Sequence, residues 1–135
     1  MKRLFADTHY FLAVVNTRDS AHARATAHSS AGQYRLWTTW WVLTEVGDAL
    51  AGTPVGHDQF IRLVGVLEST PTVHIEPFSD GLLRLALDLY ARRPDKGWSL
   101  TDCTSFLVMG RDGQTDALTG DRHFTQAGFV ALLAP

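Results

Sequence analysis

The chain has 135 residues, of which 45% are hydrophobic and 19% charged, enough for one domain with a core and too few for two. Its formal net charge of -2 excludes a surface that holds nucleic acid by excess positive charge alone, so any such contact must be local. The lone cysteine, Cys103, excludes an internal disulfide framework and suits a reducing compartment.

Arg3 to Asp7, "RLFAD", reads as an apolar strand ending on a carboxylate, and "THYFLAVVN" as a helix. Asp7 and His9 interrupt the apolar start, so no signal-peptide core is read there. A second helix fits "SAHARATAHSSAG", closed by Gly32. "RLWTT" is strand-like and leads into "WWVLTEVGDALAG", where Val42, Leu43, Val46, Ala49 and Leu50 form an apolar helical face ended by Gly52. "HDQFIRLVGVLES" fits another helix. "TVHIEPF" is a strand by its β-branched residues, stopped by Pro77. "SDGLLRLALDLYARR" is a helix with Leu82, Leu85, Ala86 and Leu89 on one stripe and basic residues in its last turn. After the linker "PDKG", a helix opens at "WSLTDCTSF" and ends near "GRDG", followed by the strands "DALTG" and "FVALL". No apolar run approaches the roughly 18 residues that span a bilayer, so the expectation is a soluble cytoplasmic protein. With no repeat or interdomain linker, residues 1–135 read as a single domain. The alternation argues for the α/β class, a parallel sheet with helices on both faces.

The carboxylates carry the functional argument. Ser99 and Asp102 form a capping-box pattern, yet Asp102, Ser105, Phe106 and Met109 fall at i, i+3, i+4 and i+7 on one face. That places a charge on the side that turns inward, where it needs compensation. Ligands of a parallel α/β sheet bind outside the carboxyl ends of its strands. Asp7 ends the first strand, Asp121 follows "DALTG", Glu45 borders the buried face of the helix after "RLWTT", and Asp102 stands in the first turn of its helix. Each has an ordinary alternative, as an N-cap, a turn residue or a solvated helix position. Four separate alternatives leave their convergence at one sheet edge unexplained. Clustered carboxylates repel one another unless divalent cations sit among them, and oxygen donors without cysteine or clustered histidine suit Mg²⁺ or Mn²⁺ rather than zinc. Asp116 is set apart from this group. The five-residue step to Asp121 spans up to about 16 Å of strand, which puts Asp116 at the opposite edge.

The blocks "LFADTHYFLAVV", "LWTTWWVLTEVGDAL", "SLTDCTSFLVM" and "ALTGDRHFTQAGFVAL" resemble, in order and separation, those of the PIN domain, and most closely its toxin (VapC-type) branch from bacterial toxin–antitoxin pairs. The resemblance runs from Arg3 to Leu133 and implies a three-layer α/β/α fold around a mostly parallel sheet of four to five strands. It implies that Asp7, Glu45, Asp102 and Asp121 form an acidic metal site, with Thr8, Ser105 and Thr119 as supporting hydroxyls. Asp7 and Asp102 are then direct ligands, Asp121 a direct or water-mediated one, and Glu45 a ligand or an orienter of the attacking water. The implied activity is that of a Mg²⁺- (or Mn²⁺-) dependent endoribonuclease, the toxin of a toxin–antitoxin system. A small antitoxin protein and a homodimer are implied with it. Many relatives carry a further acid where this chain has His123.

Phosphate contacts are expected from the rim residues Arg92, Arg93, Lys96, Arg122 and His123. Trp98 reads as packing before it reads as a base-stacking platform, and Trp40 and Trp41 as core or dimer interface. An antitoxin is expected to lay an amphipathic helix in an apolar groove and project a basic side chain toward the acids. Two alternatives stand beside this one: a non-catalytic PIN-like domain that binds RNA or protein and keeps its acids as caps, and a DNA nuclease or phosphatase on the same edge. A GxSxG elbow, zinc-ligand spacing and a complete calcium loop are all missing from the sequence.

Overall fold

Strand β1 (Lys2–Ala6) lies at the centre of a five-stranded sheet in a computed structural model that describes residues 2–32 and 34–135. Its residues Leu4, Phe5 and Ala6 are all buried, the continuous apolar run expected of a strand covered on both faces. Helices α1 (Thr8–Val15) and α2 (His22–Ala31) lead to β2 (Tyr34–Thr39), which pairs with β1 in parallel. Helices α3 (Trp40–Leu50) and α4 (Pro54–Ser69) lead to β3 (Val73–Glu76), and α5 (Asp80–Arg92) and α6 (Leu100–Arg111) carry the chain back across the sheet to β4 (Asp116–Leu118). Helix α7 (Arg122–Gln126) connects to β5 (Val130–Ala131).

All strand pairs are parallel, in the order β3-β2-β1-β4-β5. Parallel crossovers are right-handed, so reversing the direction of travel at β1 sends the later helices to the opposite face. The result is the expected three-layer α/β/α arrangement. It also opens a crevice between the ends of β1 and β4, the topological switch point where ligands of such sheets bind.

Side-chain caps set several helix starts. Thr39 accepts from the Val42 N–H to start α3, and Ser79 accepts from Leu82 to start α5. Helix α4 begins earlier than "HDQF" suggests, because Thr53 caps it and Pro54 takes its first turn, where a missing N–H costs nothing. Helix α6 buries residues around most of its circumference, including Asp102, Cys103, Ser105, Phe106 and Met109, as a helix enclosed in the core must.

The expected apolar stripes need two corrections. Leu85 is 59% exposed, since α5 points Leu82, Ala86 and Leu89 inward and leaves Leu85 on the border of that arc. Ala49 is exposed as well; in the last turn of α3 it is Leu50 that touches the core. The strands "DALTG" and "FVALL" are shorter than expected, because the chain leaves the sheet after Leu118 and winds into α7, a helix the sequence reading did not include. Among the described residues no helix is long and apolar enough to cross a membrane.

Candidate functional site

Asp7 leaves β1 at the N-cap position of α1, but its side chain caps nothing. It is only 5% exposed, and its Oδ2 accepts the Thr119 hydroxyl at 2.9 Å. Thr119, just past β4, also accepts the Asp121 N–H at 3.1 Å, so one buried hydroxyl ties the ends of the two switch-point strands together. Asp102 does form the capping box with Ser99: the Ser99 N–H donates to Asp102 Oδ2 and the Asp102 N–H to Ser99 Oγ, each at 3.0 Å. The same Oδ2 meets His123 Nδ1 at 3.0 Å, and that nitrogen lies 3.4 Å from Asp121 Oδ2. Asp121 Oδ1 caps α7 by accepting the His123 N–H at 2.9 Å. Glu45, half-buried on α3, accepts the Thr8 hydroxyl at 2.6 Å. Asp7, Glu45, Asp102, Asp121 and His123 line one cleft of about 510 Å³, together with Thr8 and His9.

The cleft concentrates negative charge. Burial pushes the Asp7 carboxyl up to about 7; the Thr8 N–H and the Thr119 hydroxyl oppose the rise, and the charges of Asp102 and Glu45 add to it. Burial also raises Asp102, against the hydrogen bonds from Ser99 and His123 and with the push of Asp121. Among the described residues no lysine or arginine pairs with any of the four acids. A buried carboxylate cluster without a cationic side chain is a fitting host for a metal cation. Asp102, Asp121 and His123 each offer a ligand atom, all within 4.8 Å of one another. A single histidine thus joins the donor set that the sequence alone gives as oxygen-only. An imidazole among carboxylates widens the fit from Mg²⁺ toward Mn²⁺ and other transition ions.

The other expected residues divide. Thr8 and Thr119 bond to site carboxylates, whereas the Ser105 hydroxyl is fully buried with no partner among the described residues. Ser105 therefore does not support the acids by hydrogen bonding. The five expected rim residues are placed as follows. Arg92 pairs with Asp88 at 2.9 Å, and Arg93 grips Asp95 with two bonds of 3.0 Å while lying over the Trp98 ring. Lys96 lines a separate cleft beside Tyr90 and Trp98, and Arg122 is exposed, without an ion pair among the described residues. Of the five, only His123 lines the acidic cleft, and its Nδ1 is already committed to carboxylates. Trp98 is packed: it is 8% exposed, its indole N–H donates to Gln126 Oε1 at 3.1 Å, and its ring meets Phe106 edge-on. Trp40 and Trp41 pack against the core, Trp41 with its ring edge-on to Phe78. Asp116 lies at the far edge, paired with Lys2 at 2.8 Å. His9, which the sequence reading treated only as an interruption, lines the cleft and accepts the Gly120 N–H at Nδ1. Its position in the first turn after Asp7 was the available signal.

No family model matches the chain. It is 29% identical over 129 residues to the 23S rRNA-specific endonuclease VapC20 of Mycobacterium tuberculosis, covering 96% of this chain and 97% of the relative. The crystal structure of VapC20, described as a sarcin–ricin loop cleaving toxin, superposes with a TM-score of 0.85 at 27% identity over 94% of this chain and 96% of that one. Along nearly its whole length the chain is therefore similar, in sequence and in fold, to a VapC endonuclease toxin. VapBC2 of Rickettsia felis, solved with a DNA fragment of its promoter, matches this chain with a TM-score of 0.66 at 14% identity, over 96% of each chain. FitAcB of Neisseria gonorrhoeae gives 0.64 at 17%, over 95% of each. At those identities the two show the shared fold.

Proposed function

We propose that this chain is one VapC-type PIN domain over residues 1–135, a Mg²⁺- or Mn²⁺-dependent endoribonuclease and the toxin of a toxin–antitoxin pair. The observation that carries the reading is the gathering of Asp7, Glu45, Asp102 and Asp121 into one cleft at the β1/β4 switch point, with no lysine or arginine paired to them among the described residues. The likeness to an RNA endonuclease along 96% of the chain supports it. Capping accounts for Asp102 and Asp121 in part, but it leaves Asp7 and Glu45 unexplained, which weighs against a non-catalytic domain.

Asp7, Asp102 and Asp121 would hold the metal. When bound, the ion supplies Lewis acidity, lowers the pKa of water and neutralises charge on the scissile phosphate. Thr119 fixes the Asp7 carboxylate by its hydrogen bond, and His123 draws Asp102 and Asp121 together. Glu45, steadied by Thr8, is placed to orient a water and accept its proton. Arg122 at the rim is free to meet a flanking phosphate.

A small antitoxin protein and a second copy of the chain are the proposed partners. Val55, Ile61 and Val66 of α4 are each more than 60% exposed, and Leu85 and Tyr90 of α5 more than 50%, apolar surface that a partner would cover. The proposed place of action is the cytoplasm.

The test incubates purified protein with a sarcin–ricin loop hairpin, mixed cellular RNA and mixed DNA, in Mg²⁺, Mn²⁺ or EDTA. Internal RNA cleavage that vanishes in EDTA is expected. Undiminished cleavage in EDTA would remove the metal mechanism, and cleavage of DNA alone would establish the rival nuclease. Harmless expression of a protein that cuts RNA would remove the toxin role and leave the nuclease.

A further inference from the structure

The cleft poses an electrostatic problem that its acids do not solve. A phosphodiester arrives with negative charge at a site lined by carboxylates; of the expected cations Arg92 and Arg93 are paired with Asp88 and Asp95, Lys96 lines another cleft, and Arg122 is exposed but does not line this one. We propose that His9 is a phosphate-binding residue of this site, donating its Nε2–H to a non-bridging oxygen of the RNA strand. This rests on the ribonuclease reading above and deepens it.

The tautomer follows from the backbone. The Gly120 N–H can only donate, and it lies 2.8 Å from His9 Nδ1. Nδ1 must therefore accept, and the neutral ring carries its proton on Nε2. Among the described residues Nε2 has no partner, and it is not one of the buried unsatisfied polar atoms, so it is open to the cleft that His9 lines. The donor is held in place from both sides. His9 stands in the first turn of α1, two residues beyond Asp7. The Nδ1–Cε1 edge of its ring rests on Gly120, where an added Cβ would lie 2.7 Å from His9 Cε1. A side chain at Gly120 would press on the ring and make it shift. Two neighbouring donors on the cleft are committed: the Thr8 hydroxyl to Glu45, and His123 Nδ1 to Asp102. An N–H fixed in direction, uncommitted and beside the acids is the chemistry a phosphate oxygen needs once metal has offset the carboxylates.

Two substitutions give opposite outcomes for the two roles His9 can have. Asparagine places an acceptor where Nδ1 was and keeps the Gly120 bond, but loses the distal donor. Glutamine reaches to the position of Nε2 and restores a donor there. With a sarcin–ricin loop hairpin, or whichever RNA the parent cuts, His9→Asn and His9→Ala are expected to raise KM about ten-fold or more, with His9→Gln within a few-fold of the parent. Circular dichroism and thermal melts identify any variant that fails to fold. A long-range ¹H–¹⁵N spectrum of the parent should report the Nε2–H tautomer, and its Nε2 resonance should move on titration with the same RNA in Ca²⁺. His9→Asn equal to the parent with His9→Gln impaired would overturn the proposal and leave His9 a brace for the Gly120 turn. An unmoved Nε2 resonance at saturating RNA would overturn it too. Lack of any RNA cleavage by the parent, with the Nε2 shift intact, would instead remove the nuclease reading and keep His9 as an RNA contact.

Discussion

His123 shows how one side chain alters a carboxylate site. Its Nδ1 lies 3.0 Å from Asp102 Oδ2 and 3.4 Å from Asp121 Oδ2, so it draws together two acids that would otherwise repel. The same contact makes Asp102 a residue with two jobs, the capping box on one side and the cleft on the other. Asparagine separates them. Its amide oxygen still accepts the Ser99 N–H, so Asp102→Asn should cost less than about 1 kcal/mol in stability. The negative charge is gone, so RNA cleavage should fall by orders of magnitude. Thermal melts and cleavage rates on the same preparations check both halves. A variant that folds and cuts at the parental rate would remove Asp102 from the metal site.

The elements explain which acids converge. Strand β4 runs parallel to β1, with Ala117 beside Phe5 and Leu118 beside Ala6. Asp116, at the start of β4, falls next to Lys2, while Asp121 lies past the carboxyl end near Asp7. Asp116→Asn should leave cleavage within a few-fold of the parent and lose an exposed ion pair worth less than about 1 kcal/mol. Asp121→Asn should keep the α7 cap and reduce cleavage by orders of magnitude, or change the metal required. Rates in the reverse order would misplace the site on the sheet. Asp7 and Asp121 could be placed from sequence because both follow strands, and strand direction in an alternating α/β chain fixes the edge. Glu45 and Asp102 needed helical spacing together with the family blocks. His9, the His123 contact and α7 escaped, because each depends on which loops meet across the crevice, which no local period encodes. The pairing of Arg92 and Arg93 was not legible for a related reason: a basic run near a site helix does not announce that Asp88 and Asp95 bond those guanidinium groups.

At the scale of the whole molecule, the site trades stability for function in a way that pH reveals. Without metal, the buried Asp7 carboxyl is held near 7, whereas in the unfolded chain it titrates near 4. Between those values the native state binds the extra proton, so this group's contribution to stability falls as pH rises from about 4 to about 7. Asp102, raised by the same burial, works in the same direction. Glu76 and Asp112, lowered by hydrogen bonds from Arg111, work in the opposite one and lose their contribution as pH falls. The net profile therefore mixes both signs, and the difference between the parent and Asp7→Asn isolates the site. In EDTA, the Tm of the parent relative to Asp7→Asn should drop between pH 5 and pH 7.5 by more than about 4 °C. Adding Mn²⁺ or Mg²⁺ should raise the parent's Tm more at pH 7.5 than at pH 5, since the ligand must lose its proton to bind and only the native state assembles the site. Asp7→Asn should lose most of that gain. A difference between the two proteins that stays constant from pH 5 to pH 7.5, with or without metal, would show that Asp7 is not the strained carboxylate around which the cleft is built.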